Sequence, residues 1–128
     1  MMLPESHSIW LNRAEHDWRA IRAIEASHER SWPAISFHAQ QAAEKTLKAF
    51  LAYHKVKPPR THDLEGLLDA CISYDTLLGE LRIDANFLTQ FAVAARYFEV
   101  EDEFSEESGQ EAIAAAKRLC AAIQERIK

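Results

Sequence analysis

Phe37-His38-Ala39-Gln40-Gln41-Ala42-Ala43-Glu44-Lys45-Thr46-Leu47-Lys48-Ala49-Phe50-Leu51 is the stretch whose periodicity decides the fold. Small and larger apolar residues recur at helical steps along one face, and His38, Gln41, Lys45 and Lys48 recur at steps of three and four along another. The second set therefore forms one contiguous polar stripe. Ser31 supplies an N-cap for this helix and Pro33 falls in its first turn, where a missing amide proton costs little. The helix is expected to reach about His54, because Lys57-Pro58-Pro59 cannot extend it.

Outward from that segment the same period continues. A first helix over residues 6–27 is carried by Trp10, Ala14, Trp18, Ile21 and Ile24. Thr61 caps a third helix with Leu64, Leu67, Leu68, Cys71 and Ile72 on its apolar stripe. The pattern weakens over residues 74–82, which contain Gly79 and read as a loop or short turn. Phe87, Phe91, Ala94 and Ala95 place another helix over residues 84–97, and the acidic run 99–107 reads as a connection. Ser108 with Glu111 forms a capping-box pattern, and Ala112, Ile113, Ala116, Leu119, Ile123 and Ile127 define the last helix. Four long helices and a shorter one, with short connections, are best buried as an antiparallel up-and-down bundle. The fold class is all-α, and residues 1–128 form a single domain.

Composition agrees. Three Gly and four Pro among 128 residues are too few for a turn-rich β protein. A net charge of −5 argues against a general nucleic-acid coat, which needs clustered positive charge. RNA binding by a local basic patch stays open. Cys71 and Cys120 lie among apolar residues at helical spacing and read as reduced core thiols of a cytoplasmic protein. The N-terminal residues lack a signal-peptide pattern, and no segment has the length and apolarity of a membrane span.

The polar residues each carry two readings. His38 is either a core-edge histidine satisfied by a neighbouring helix or a hydrogen-bond donor in a groove with Gln41, Lys45 and Lys48, whose lysines face an anion. Glu44 pairs with a lysine one turn away, a contact that on an exposed helix contributes about 0.2–0.5 kcal/mol. In Thr61-His62-Asp63-Leu64, the first residue caps, Asp63 complements the helix dipole, and His62 either packs across the turn or enters a site. Arg96 suits either the carbonyl-rich end of a helix or an anion, and Tyr97 suits stacking or hydroxyl hydrogen bonding.

Three elements give the chain a family likeness: Ala43-Glu44-Lys45 with Lys48-Ala49, Thr61-His62-Asp63-Leu64, and Ala95-Arg96-Tyr97. With them the sequence resembles the HEPN family, the helical domains found with minimal nucleotidyltransferases and in several ribonucleases. The resemblance covers the chain from about Trp10 to the final helix. It implies a helical bundle that forms a homodimer, partners a minimal nucleotidyltransferase in a toxin–antitoxin-type module, and helps bind or regulate a nucleotide or other anionic ligand. It also implies a ligand-binding set of His38, Gln41, Glu44, Lys45, Lys48, His62, Asp63, Arg96 and Tyr97. Ribonuclease members carry an Arg followed after four to six residues by His. No histidine follows Arg96 here, and Arg22 with His28 matches only the bare spacing, outside the family position. No catalytic residue is therefore assigned. The alternatives are a ribonuclease with an altered site built on His38, His62 or Arg96, and a stand-alone nucleotide-binding module.

No metal or cofactor is expected. Glu25-Ala26-Ser27-His28 is a single Glu-x-x-His, whereas a di-iron bundle needs two and further carboxylates. A phosphate-binding Gly-rich loop and a nucleophile elbow are also missing.

Overall fold

The structure, a computed structural model, describes residues 5–92 and 105–128. Five α-helices and a 3-10 segment account for most of these, and the described residues contain no strand. Helix α1 is His7–Glu25, α2 Trp32–Tyr53, α3 Leu64–Ile72, α4 Arg82–Thr89 and α5 Glu106–Gln124, with the 3-10 segment Thr76–Leu81 ahead of α4.

Helix α2 is the axis of the domain. Ala39, Ala42, Ala43, Leu47 and Ala49 are fully buried, so small side chains let α1 and α5 approach its backbone from different sides. Helix α1 runs antiparallel to it: His7 meets Tyr53, and Asp17 meets Lys45. Helix α5 lies alongside α2 in the same direction. Gly109 abuts the Trp32 ring near the start of both helices, and the Cys120 thiol reaches Thr46 Oγ1 at 3.3 Å further along. Arg82 pairs with Asp69 and Asn86 with Glu65, so α3 and α4 are antiparallel, and Arg118 of α5 pairs with Asp84 of α4.

The ends of the helices show how the sequence sets these bounds. Ser31 Oγ accepts from the Ala34 amide, and Pro33 sits in the first turn of α2, both as expected. At the other end Lys55 takes φ 64°, while its amide bonds to Ala52 O and the Val56 amide to Leu51 O. This is a Schellman closure with lysine where glycine is usual. Three boundaries differ from the sequence reading. Thr61 Oγ1 accepts from the Asp63 amide, making a turn ahead of α3, and Asp63 occupies the N-cap position. The cap of α5 is Ser105, whose Oγ accepts from the Ser108 amide, so Glu106 and Glu107 fall in the first turn, where the helix dipole favours carboxylates. Helix α4 stops at Thr89: Thr89 Oγ1 takes Ala85 O, Gln90 Nε2 takes Phe87 O, and the Phe91 amide tightens onto Leu88 O. Residues 93–97, expected to complete that helix, lie outside the described residues.

Both cysteines are free and buried, as read from the sequence. Burial pushes the Cys71 thiol up to about 12 and the Cys120 thiol up to about 11. No described helix is long and apolar enough to cross a membrane.

Candidate functional site

The polar stripe of α2 is met from two sides, and each side centres on a buried carboxylate. Asp17 comes from α1, with a side chain only 6% exposed. Its Oδ1 lies 2.8 Å from His38 Nδ1 and its Oδ2 accepts from Lys45 Nζ at 2.7 Å. Glu44 comes from α2 itself, with a side chain 5% exposed. Its Oε1 lies 2.7 Å from His62 Nδ1, and its Oε2 accepts from Lys48 Nζ at 3.2 Å. Each carboxylate thus holds one imidazole and one ammonium.

Between the two clusters runs a pair of amides. Gln41 Nε2 donates to Gln40 Oε1 at 2.7 Å, and Gln40 Nε2 donates to the carbonyl of His62 at 3.3 Å. His62 is therefore fixed at two points, its ring by Glu44 and its backbone by Gln40. The ring itself is mostly exposed. With Nδ1 turned inward to Glu44, its Nε2 edge is the one presented outward.

The lysines do not stand as open cations. Lys48 is buried, and its ammonium lies 5.4 Å from the centre of the Trp10 ring, which also faces the Arg13 guanidinium at 4.6 Å. The Glu44–Lys48 pair, read from the sequence as an exposed helical contact, is a buried one, so its loss carries a desolvation cost that an exposed pair lacks. Lys45 is partly exposed but committed to Asp17. Two carboxylates offset two ammonium groups, leaving the described part of the groove close to neutral, with hydrogen-bonding edges in place of a cationic field.

His38, Gln41, Glu44, Lys45, Lys48 and His62 are thus brought together by geometry. Asp63 stands apart: it is exposed at the N-cap of α3, with its carboxylate folded over Gly66. Arg96 and Tyr97 lie outside the described residues. The sequence reading missed Asp17, Gln40 and the role of Trp10. Asp17 had a visible signal, because it takes an apolar-stripe position between Ala14 and Ile21, where a carboxylate needs a buried partner. No group of three or more His, Cys, Asp or Glu with metal-site geometry occurs among the described residues.

The model of the HEPN domain family matches residues 7–127 of the chain. The chain belongs to the HEPN family. A solved structure of an archaeal HEPN homologue superposes with a TM-score of 0.74 at 24% identity, covering 97% of this chain and 99% of the other. At that identity the likeness carries the fold and not the activity. No curated protein matches the chain.

Proposed function

We propose that this HEPN protein is a noncatalytic partner of a minimal nucleotidyltransferase, with the α2 groove as the surface that helps bind or regulate the nucleotide or substrate of that enzyme. The observation that carries this reading is the internal neutralisation of the groove: Lys45 and Lys48 are spent on Asp17 and Glu44. A phosphodiester-cleaving site needs cations or donors aimed at the charge that develops in the transition state. Here the described ammonium groups already hold buried carboxylates, while His62 offers a fixed outward edge suited to a directional contact. The missing histidine after Arg96 points the same way. Homodimerisation and a toxin–antitoxin-type setting belong to this proposal, and Leu77 and Ile83, 63% and 83% exposed, supply apolar surface for a protein contact.

Native purification followed by mass spectrometry, then reconstitution with the nucleotidyltransferase so identified, tests the proposal. A stable complex that weakens in His62→Ala or Arg96→Ala is the expected result. Purified protein that cleaves RNA, and loses the activity in His38→Ala or His62→Ala while remaining folded, would overturn it in favour of an altered ribonuclease. Light scattering over a range of concentrations tests the dimer, which a monomer throughout would reject.

A further inference from the structure

The α2 groove meets α1 at Trp10, and there hydrogen-bond donors outnumber acceptors. Trp10 Nε1 is buried and has no hydrogen-bond partner among the described residues. Lys48, 7% exposed, carries three N–H donors on its ammonium and finds one acceptor among the described residues, Glu44 Oε2 at 3.2 Å. Its charge is met, but two of its hydrogens are not. A donor buried without an acceptor costs free energy that an incoming acceptor recovers.

The two donors are neighbours. Lys48 Nζ lies 5.4 Å from the centre of the ring system to which Trp10 Nε1 belongs. One group with two acceptor oxygens, each reached at about 2.7–3.2 Å, can therefore accept from both. The Arg13 guanidinium stands over the same ring at 4.6 Å and marks the mouth. It already holds a carboxylate there, that of Glu5, with Oε2 at 2.6 Å. Both members of that pair are nearly half exposed, so little holds Glu5 against a competing carboxylate.

These features select the ligand. Indole, ammonium and guanidinium groups only donate, so the ligand must bring acceptor oxygens. Two cations already meet the Trp10 ring, which is thereby taken as a stacking platform. Glu44, on the same ammonium, repels a dianion more strongly than a monoanion, and this works against a phosphate. We propose that Trp10 Nε1, Lys48 and Arg13 form a carboxylate-binding site, with Glu5 as the chain's own competitor at its mouth. The carboxylate is that of an acidic side chain on a docked protein or of a small carboxylic acid. The assignment rests on the α2 groove being the contact surface proposed above, and it names the chemistry which that surface accepts.

Acetate added to the full chain is the probe, read from the three tryptophan indole N–H resonances, with sodium chloride at matched ionic strength and inorganic phosphate as controls. The Trp10 resonance, identified by its loss in Trp10→Phe, should move downfield saturably with acetate. Chloride should leave it in place, and phosphate should move it far less. Arg13→Leu, at a position 43% exposed and away from the core, should weaken acetate binding about tenfold, the scale of one charge-assisted hydrogen bond. Lys48→Met should abolish the shift, and Glu5→Gln should strengthen binding. Tighter binding of N-acetylglutamate N-methylamide than of acetate assigns the protein side chain as the source, and the reverse order assigns the small acid. A shift that chloride reproduces, no saturation up to molar acetate, unchanged affinity in Arg13→Leu, or phosphate bound as tightly as acetate would each overturn the site. No partner protein enters the titration, so its failure is distinct from failure of the nucleotidyltransferase complex to form.

Discussion

Lys45 Nζ lies 2.7 Å from Asp17 Oδ2, joining residues 28 positions apart across the seam between α1 and α2. The contact changes what the conspicuous lysines of α2 are for. They hold carboxylates that would otherwise be buried alone, so each of these ions is used from within the groove.

The sharpest energetic consequence falls on Glu44. Glu44→Ala leaves Lys48, 8% exposed, without its counter-ion and releases the His62 ring. Breaking a buried pair from one side costs about 3–5 kcal/mol, and urea unfolding should show a loss on that scale. The double variant Glu44→Leu/Lys48→Met should recover most of it, because no unpaired buried charge remains. Asp17→Ala should cost less, about 1–3 kcal/mol, since Lys45 is 23% exposed and can turn its ammonium to water. Equal losses in the two single variants would contradict this division.

Helical period exposed the bundle because α1 and α5 each bury one face, which leaves its mark at every third or fourth residue. The α2 stripe was legible because its polar residues recur at the same step, although α2 is buried around most of its circumference. What period could not give was the partner of each polar residue. His38 and Lys45 converge on Asp17 only after α1 folds back, and His62 reaches Glu44 only through the return of residues 54–63. Asp17 itself was hidden by its neighbour Trp18, which satisfies the apolar pattern one residue later. The short elements were less legible: α4 ends where side chains of Thr89 and Gln90 take carbonyls, a competition that no hydrophobic pattern records.

Close approach of α5 to α2 depends on Gly109. A Cβ built there would lie 2.4 Å from Trp32 Cε3, well inside contact distance, so the ring or the helix must shift. Gly109→Ala should destabilise by about 1–3 kcal/mol, the usual cost of overpacking, despite alanine's better helix propensity. Trp32→Leu on the same background should return part of the loss. A Gly109→Ala protein as stable as wild type by thermal and urea unfolding would show that the helices separate freely at this point.

Asp75 gives a pH signature. Its hydrogen bond from the Arg126 side chain, followed by that from the Leu77 amide, holds its carboxyl below the ordinary carboxylate value. A lowered folded value means that the contribution to stability is present above the unfolded value of about 4 and disappears as pH falls through the folded one. Asp75→Asn should therefore be less stable than wild type near neutrality, and the difference should shrink below about pH 4. Unfolding series at fixed denaturant across that range would check it, and a constant difference would assign the effect to packing.

The two thiols act in the opposite direction. Their folded values, raised by burial to about 12 for Cys71 and about 11 for Cys120, stand above the ordinary 9.0. For a group raised on folding, the contribution is complete below the unfolded value and is lost as pH rises toward the folded one. Stability should thus decline from about pH 9 upward, and Cys71→Ala should flatten that decline. At pH 8 the native protein should react with a disulfide reagent far more slowly than the same chain in guanidinium, which should titrate both of its cysteines, because the thiolate is the nucleophile and neither buried site supports one. Rapid stoichiometric labelling of the folded protein would mean that α3 or α5 opens readily enough to expose its cysteine.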